Sequence, residues 1–182
     1  MKIIAIMAQK GGTGKTTTAT TLAYDLAQLD GPVLLIDADQ QGNASQIMGA
    51  YDPTAWGVEK LLEPDTDAAS VDDLKQTREW QPKKKAPAVR VDVVAASAAL
   101  MDANMDVAAD TVNDQVHRLQ ERLAAVSGVY KYAVIDCGLL LDMAALNALV
   151  AADLWIVPVL SPAGLRWTAS CASTNSWRNC GS

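Results

Sequence analysis

The chain has 182 residues, half of them apolar, and a net charge of −6, which is typical of one globular domain with a hydrophobic core. This acidic balance argues against a surface that binds nucleic acid over its whole extent, although it leaves room for a local basic patch. No run of about 18 uninterrupted apolar residues occurs, so no membrane span is predicted. The three cysteines lack metal-ligand spacing, and we expect reduced thiols and a cytoplasmic location.

Short aliphatic segments alternate along the chain with segments of helical periodicity. Each short segment is rich in β-branched or aliphatic residues and ends near a polar or glycine-containing turn. This alternation predicts an α/β fold, a parallel sheet with helices on both faces. The predicted strands are 3–7, 33–36, 89–94, 132–135 and 154–157.

Helices are predicted from apolar spacing and from stop signals. The first covers 15–29 and ends at Asp30-Gly31-Pro32, a sequence that cannot continue a helix. The second covers about 111–126, where one apolar face recurs and Asp110 could cap the first turn. A third covers about 142–151, and two short helices are predicted near 56–62 and 71–78.

The strongest motif lies between the first predicted strand and the first predicted helix. It reads Gln9-Lys10-Gly11-Gly12-Thr13-Gly14-Lys15-Thr16-Thr17. Its glycines let backbone amides approach phosphate oxygens, and the following helix adds the positive end of its dipole. This strand–loop–helix context is the one that a phosphate-binding loop requires. The predicted nucleotide-binding residues are Gly11, Gly12, Thr13, Gly14, Lys15, Thr16 and Thr17.

Three side chains of this loop have expected roles. Lys15 should contact the β- and γ-phosphates, and Thr17 should reach the α-phosphate. Thr16 should offer its hydroxyl to Mg²⁺, which prefers hard oxygen ligands. The predicted cofactors are therefore ATP and Mg²⁺. The general motif fails at one position, because Gln9 stands where its first glycine belongs.

This departure resembles the deviant Walker A loop of the ParA/MinD ATPases, P-loop NTPases that carry a second lysine near the start of the loop. Lys10 is the matching residue in this chain. The resemblance implies that Lys10 reaches across a nucleotide-sandwich dimer to the partner's phosphates. A cation supplied in this way neutralises charge that develops on the γ-phosphate, so the resemblance gives Lys10 and Lys15 catalytic roles.

Residues 34–43 resemble the second motif of the same family. They read Leu-Leu-Ile-Asp-Ala-Asp-Gln-Gln-Gly-Asn, with Gln40 in place of a proline. They also follow a predicted strand, at the edge where open α/β sheets bind ligands. The resemblance implies that Asp39 orients the attacking water, which is a catalytic role, and that Asp37 supports the magnesium shell.

Residues 132–136 resemble the Walker B strand of the family, and Asp136 is accordingly expected to hold Mg²⁺ through water. The family usually continues with Thr-Pro-Pro, whereas this chain has Cys137-Gly138-Leu139. The difference bears on how this loop senses the γ-phosphate and hence on ATP hydrolysis.

The resemblance covers about residues 1–160 and implies a ParA-type ATPase that acts in plasmid or chromosome partitioning through an ATP-dependent homodimer. It also implies slow hydrolysis, a ParB-like centromere-binding partner that stimulates it, and nonspecific DNA binding. One alternative is a truncated or decayed paralogue that holds nucleotide with little hydrolysis. A MinD-like membrane-cycling ATPase is less favoured, because residues 160–182 contain no basic amphipathic helix.

The end of the chain differs in composition from the rest. Residues 159–182 contain no Asp or Glu and hold two of the three cysteines. We interpret residues 1–160 as a P-loop ATPase domain that is incomplete on its C-terminal side. Residues 161–182 are interpreted as an atypical tail, either out of frame or disordered.

Overall fold

The computed structural model describes residues 1–64, 69–82, 86–161 and 164–171. Within these ranges, seven strands form one sheet in the order β3-β4-β2-β5-β1-β6-β7. The strands are β1 (Lys2–Ile6), β2 (Val33–Ala38), β3 (Gln76–Trp80), β4 (Val89–Val94), β5 (Tyr132–Cys137), β6 (Leu154–Ser161) and β7 (Gly164–Cys171). The central strands are parallel, and the edge strands β3 and β7 run antiparallel to their neighbours. The predicted α/β class is confirmed.

Helices cover both faces of this sheet. They are α1 (Lys15–Leu29), α2 (Asn43–Ile47), α3 (Val71–Leu74), α4 (Leu100–Ala109), α5 (Arg118–Ala125) and α6 (Met143–Ala151), with a 3₁₀ helix at Val58–Leu61. Successive side chains of a strand point to opposite faces. Leu35 therefore joins the core under α1, whereas Leu34 and Ile36 join the core formed with α5 and α6. Strand β2 is buried at every position, which is why its first four residues read as an unbroken apolar run.

The elements with the clearest local signals agree with the sequence. All five predicted strands are present, and α1 has the predicted bounds 15–29. Helix α6 begins one residue later than predicted, because Asp142 is its cap and accepts a hydrogen bond from the amide of Ala145 at 2.9 Å. The first amides of a helix have no carbonyl acceptor within the helix, and an Asp side chain at this position supplies one.

The helix predicted at 111–126 is wrong in its first half. Residues 111–117 form turns, and α5 begins only at Arg118. The Asp110 carboxylate accepts hydrogen bonds from the amides of Val112 and Asn113, and Asp114 binds the amides of Val116 and His117 in the same way. Such side-chain bonds compete with helix formation. Asp110 thus follows α4, a helix that the sequence analysis missed, and does not cap a helix start.

The second correction concerns residues 71–78. Only Val71–Leu74 is helical, and Gln76–Trp80 forms the edge strand β3 against β4. The helix is a single turn held by a capping box between Ser70 and Asp73, which stabilises a helix start without extending it. The chain then alternates exposed and half-buried residues, which suits an edge strand.

The end of the chain also differs from expectation. Strand β6 continues to Ser161, and the backbone of residues 164–171 pairs with it as β7, although no strand periodicity was predicted there. Residues 172–182 lie outside the described residues, as does the lysine run 83–85. Within the part of the chain that is described, no helix is long and apolar enough to cross a membrane.

Arg118 joins the corrected loop to the 3₁₀ helix and supplies a test of the packing. Its buried guanidinium donates to the carbonyls of Asp114 at 2.7 Å and Leu62 at 2.8 Å, and to the Asp110 carboxylate. Arg118→Ala removes the hydrogen bonds of a buried guanidinium and leaves the Leu62 carbonyl without that donor, so we expect the free energy of unfolding in urea to fall by about 3 kcal/mol. Arg90→Ala, which removes an exposed pair with Glu79, should cost less than about 1 kcal/mol. Equal losses would contradict this role for Arg118.

Candidate functional site

A cleft of ≈430 Å³ opens where the central strands end. The phosphate loop forms one wall, and the segment after β2 forms the other. The lining residues are Gly11, Gly12, Thr13, Gly14, Lys15, Thr16, Thr17, Asp39, Gln41, Asn43, Gln46, Ile47 and Leu139. The structure therefore brings all seven predicted nucleotide-binding residues into one cleft with Asp39.

The backbone of the loop has the shape that an anion site needs. Gly12 and Gly14 adopt φ values of 72° and 83°, a region that side chains with a Cβ rarely enter. No atom of the described residues lies within 4 Å of where a Cβ at Gly11 or Gly12 would stand, so the space before these amides is open to a ligand. Helix α1 begins after Gly14 with no side-chain cap and no acidic residue in its first turn. Its first amides are thus free to bind phosphate oxygens.

The two lysines of the loop differ in environment. The Lys15 side chain is buried at the base of the cleft, close enough to Asp136 for its charge to lower the pKa of that carboxyl. Lys10 is exposed, and its carbonyl accepts a hydrogen bond from the Thr13 hydroxyl at 3.2 Å. Lys15 therefore faces the interior of the site, whereas Lys10 is accessible from outside.

Asp37 and Asp136 lie side by side at the ends of β2 and β5, where the strand register pairs them directly. Both are fully buried. Asp37 is saturated by protein donors: Oδ2 accepts from the amide and the hydroxyl of Ser45, each at 2.7 Å, and Oδ1 accepts from the amide of Asp39 at 3.2 Å. Burial nevertheless raises the pKa of Asp37 to about 6, because desolvation disfavours the charged form.

Asp136 is buried without a bonded partner. Among the described residues, neither of its oxygens has a donor in hydrogen-bonding geometry, although the Thr16 hydroxyl is near enough to lower its pKa. Burial first, and then repulsion from Asp37, raises the pKa of Asp136 to about 8. A buried carboxylate without a donor must be protonated or neutralised by a cation, so these residues fit a bound Mg²⁺.

The set of ligands suits magnesium more than a metal held by protein alone. No group of three or more His, Cys, Asp or Glu side chains in the described part of the chain could hold a metal ion. Mg²⁺ usually keeps several waters and binds one or two carboxylates together with substrate phosphates. The neighbouring Thr16 hydroxyl and Asp136 carboxylate match that requirement, whereas Asp37 already binds three protein donors.

Asp39 lies at the edge of the cleft near the segment that departs from the family motif. Its Oδ1 accepts a hydrogen bond from the amide of Gln41 at 3.0 Å, and no donor among the described residues is bonded to its Oδ2. A Cβ placed on Gly138 would stand 3.5 Å from that Oδ1, so Gly138 packs against Asp39. Cys137 is fully buried, which raises the pKa of its thiol, and it packs in the core as a small apolar residue.

Other residues of the site were missed by sequence reasoning. Ser45 binds Asp37, and the cleft is also lined by Gln41, Asn43, Gln46, Ile47 and Leu139. Gln41 and Asn43 belong to the motif that carried Asp37 and Asp39, and that membership was a usable signal. Leu139 was already marked by the departure at Cys137-Gly138-Leu139, whereas nothing local distinguishes Ser45, because its role depends on contacts across the fold.

Known proteins share this arrangement. A family model described as an AAA domain matches residues 1–164. The chain is 38% identical over 159 residues to the sporulation initiation inhibitor protein Soj of Bacillus subtilis, and 34% identical over 158 residues to the chromosome partitioning protein ParA of Myxococcus xanthus. The chain belongs to the ParA/MinD family. Each alignment covers 87% of this chain but only 58% of Soj and 52% of ParA.

Solved structures agree with this membership of the ParA/MinD family. A complex of cobyrinic acid a,c-diamide synthase from Mycobacterium smegmatis with an ATP analogue and magnesium matches with a TM-score of 0.75 and 25% identity, over 89% of this chain and 61% of that one. An ATP complex of Cyanothece McdA matches with a TM-score of 0.73 and 26% identity, over 90% and 58% respectively. Nucleotide and magnesium binding therefore occur among structural relatives of this ParA/MinD family member.

The lone carboxylate of Asp136 yields a prediction for the protein without metal. The unfolded group titrates near 3.8 and the folded group near 8, so between these values the unfolded state releases a proton that the folded state retains. Stability should therefore fall as pH rises from about 4 to about 8. Asp136→Asn removes the cost of ionising this buried carboxyl. It should raise the free energy of unfolding at about pH 8, in EDTA, by on the order of 2 kcal/mol.

The gain of Asp136→Asn should shrink at about pH 5.5, where the wild-type carboxyl is already neutral in the fold. Asp106→Asn, at an exposed position of α4, serves as the control and should change little at either pH. A gain in the free energy of unfolding that is the same at both pH values would refute the assignment of a raised pKa to Asp136.

Proposed function

We propose that this protein binds Mg-ATP in the cleft of the phosphate loop. The observation that carries the proposal is the buried Asp136 carboxylate, which has no bonded donor among the described residues and lies near Thr16 and Lys15, two residues that line that cleft. The loop amides and Lys15 would hold the β- and γ-phosphates. Thr16 would bind Mg²⁺ directly, and Asp136 would bind it through water. Asp37 would support the magnesium shell indirectly, through its hydrogen bonds with the loop after β2.

Hydrolysis of ATP is the reaction that these residues support. When bound, the metal would supply positive charge that stabilises the phosphate oxygens. Asp39 is proposed to orient the attacking water, because one of its carboxylate oxygens is fixed by Gln41 and the other has no bonded protein donor within the described residues. Lys15 stays in place at the base of the cleft throughout. We expect slow turnover unless a partner protein stimulates it.

The proposed active form is a dimer that sandwiches ATP between two copies. Lys10 is exposed and is not among the residues that line the cleft, so its side chain is accessible to a facing subunit. A lysine from one copy would then neutralise charge on the γ-phosphate bound by the other. ATP would set the lifetime of this dimer, as it does in other nucleotide switches.

We propose partitioning of a plasmid or chromosome as the biological role, in the cytoplasm and with a ParB-like partner. Similarity to Soj and to ParA supports this role. The chain spans just over half of these relatives, so nonspecific DNA binding and the partner stay proposals for the whole protein.

A second candidate function is nucleotide binding with little hydrolysis. Leu139, which is 43% exposed, lines the cleft where the family usually carries Thr-Pro-Pro, and Gly138 packs against Asp39. An apolar side chain here cannot bond to a phosphate or a water. This difference favours weaker sensing of the γ-phosphate, while nucleotide binding depends on the other wall of the cleft.

The two loop lysines should separate nucleotide binding from dimerisation. Lys15→Ala is expected to lower the affinity for Mg-ATP by at least about 100-fold in calorimetry, because it removes the buried cation at the phosphates. Lys10→Ala should retain that affinity within a factor of about three but lose the ATP-specific dimer seen by gel filtration. Elution of the wild type that is the same with ATP, ADP and no nucleotide would exclude the sandwich dimer.

Turnover of Asp39→Ala discriminates the enzyme from the binding protein. If Asp39 orients the water, this variant should lose about 100-fold in the rate of phosphate release while its affinity for Mg-ATP changes little. Asp52→Ala, which removes an exposed carboxylate that does not line the cleft, is the control and should keep the wild-type rate. A wild-type rate that is already as low as that of Asp39→Ala would support the second candidate function.

A further inference from the structure

The Ser45 hydroxyl joins three segments of the chain at one buried point. Ser45 is fully buried on α2. Its hydroxyl donates to Asp37 Oδ2 at 2.7 Å and accepts a hydrogen bond from the amide of Ala96 at 2.9 Å. The Ser45 amide donates to the same Asp37 oxygen at 2.7 Å. The end of β2, helix α2 and the segment after β4 are thus tied together.

These contacts close the loop that forms one wall of the cleft. The loop starts at Asp37 and ends at Ser45. The amide and the hydroxyl of Ser45 both bind the Asp37 carboxylate, so the two ends of the loop are joined. Between them lie Asp39, Gln41 and Asn43, which line the cleft. Asp39 is itself tied to the carboxylate, because its amide donates to Asp37 Oδ1 at 3.2 Å. The Ser45 hydroxyl also restrains the Asp37 carboxylate beside Asp136, its neighbour in the strand register.

We propose that Ser45 is a positioning residue of this site, whose hydroxyl holds Asp37 and the 38–44 loop in the arrangement that receives a magnesium-bound nucleotide. The inference rests on the proposed function. Ser45 does not touch the cleft itself, since it is not among the lining residues. Its effect passes through the carboxylate and the loop that it anchors, as expected of groups that orient a site from behind.

Ser97 offers a closely matched control. It is also a buried serine, it lies in the segment that contains Ala96, and its hydroxyl donates to the buried carboxylate of Glu59 at 2.6 Å. Within the described part of the chain, its hydroxyl bonds to Glu59 and Ala99 and to neither Asp37 nor the 38–44 loop. Ser97→Ala and Ser45→Ala therefore remove the same kind of hydrogen bond, but only Ser45→Ala should loosen the wall of the cleft.

The experiment compares the full-length wild type with Ser45→Ala, Ser45→Thr and Ser97→Ala. Nucleotide affinity is measured with Mg²⁺ and with EDTA, and amide hydrogen exchange is measured without nucleotide. Ser45→Ala should lose about tenfold of the affinity gained from Mg²⁺, with little change in EDTA, and should exchange faster across 38–46. Ser97→Ala should keep both properties, even at a melting temperature as low as that of Ser45→Ala. Ser45→Thr retains the hydroxyl and should restore the Mg²⁺-dependent affinity.

Unchanged exchange across 38–46 in folded Ser45→Ala would overturn the positioning role, even if the wild type binds nucleotide. Equal losses of Mg²⁺-dependent affinity in Ser45→Ala and Ser97→Ala would overturn it as well, because the effect would then be one of general stability. If Ser45→Thr does not fold, the contrast between the two alanine variants decides. A wild type that binds no Mg-nucleotide, yet shows the exchange difference, would overturn the proposed function and leave Ser45 as the anchor of its loop.

Discussion

Two carboxylates, Asp37 and Asp136, are buried side by side at the ends of adjacent strands, and the organisation of the site depends on this unfavourable placement. Loss of hydration raises the pKa of both carboxyls, and repulsion from Asp37 raises that of Asp136 further. Protein donors compensate Asp37 through Ser45 and Asp39. Asp136 receives no such compensation within the described residues beyond the nearby Lys15 and Thr16. Asp136 is therefore the carboxylate of this pair that lacks compensation, and a cation bound beside it would stabilise the folded protein.

The phosphate loop has the complementary preference, because it favours negative charge. Gly12 and Gly14 turn the loop so that amides, and no side-chain cap, face the open space at the start of α1. An anion placed there gains from the amides and from the helix dipole. The pair Asp37 and Asp136 thus favours a bound cation, and the phosphate loop favours a bound anion. A magnesium-bound triphosphate satisfies both at once, which neither a free metal ion nor a free phosphate would do.

Local patterns predicted the central strands, α1 and the phosphate loop, because their periodicity, glycine stops and motif spacing lie within short stretches of sequence. The prediction failed where distant or side-chain contacts decide. Asp110 and Asp114 capture nearby amides and unwind the start of a helix whose apolar spacing looked continuous. Strand β3 exists because β4 pairs with it. Ser45 reaches Ala96, 51 residues away, and no local pattern reports such a contact.

Under the proposed function, the segment 137–139, where the family usually has Thr-Pro-Pro, bears on which of the two candidate functions the site performs. The groups proposed to bind phosphate and metal lie on the loop and at the end of β5, outside this segment. Asp39 packs against Gly138 and shares the cleft with Leu139. Any effect of the change therefore falls on the water that Asp39 would orient. Leucine excludes water from its surroundings and offers no bond to fix it, so hydrolysis is the step that this sequence difference affects first.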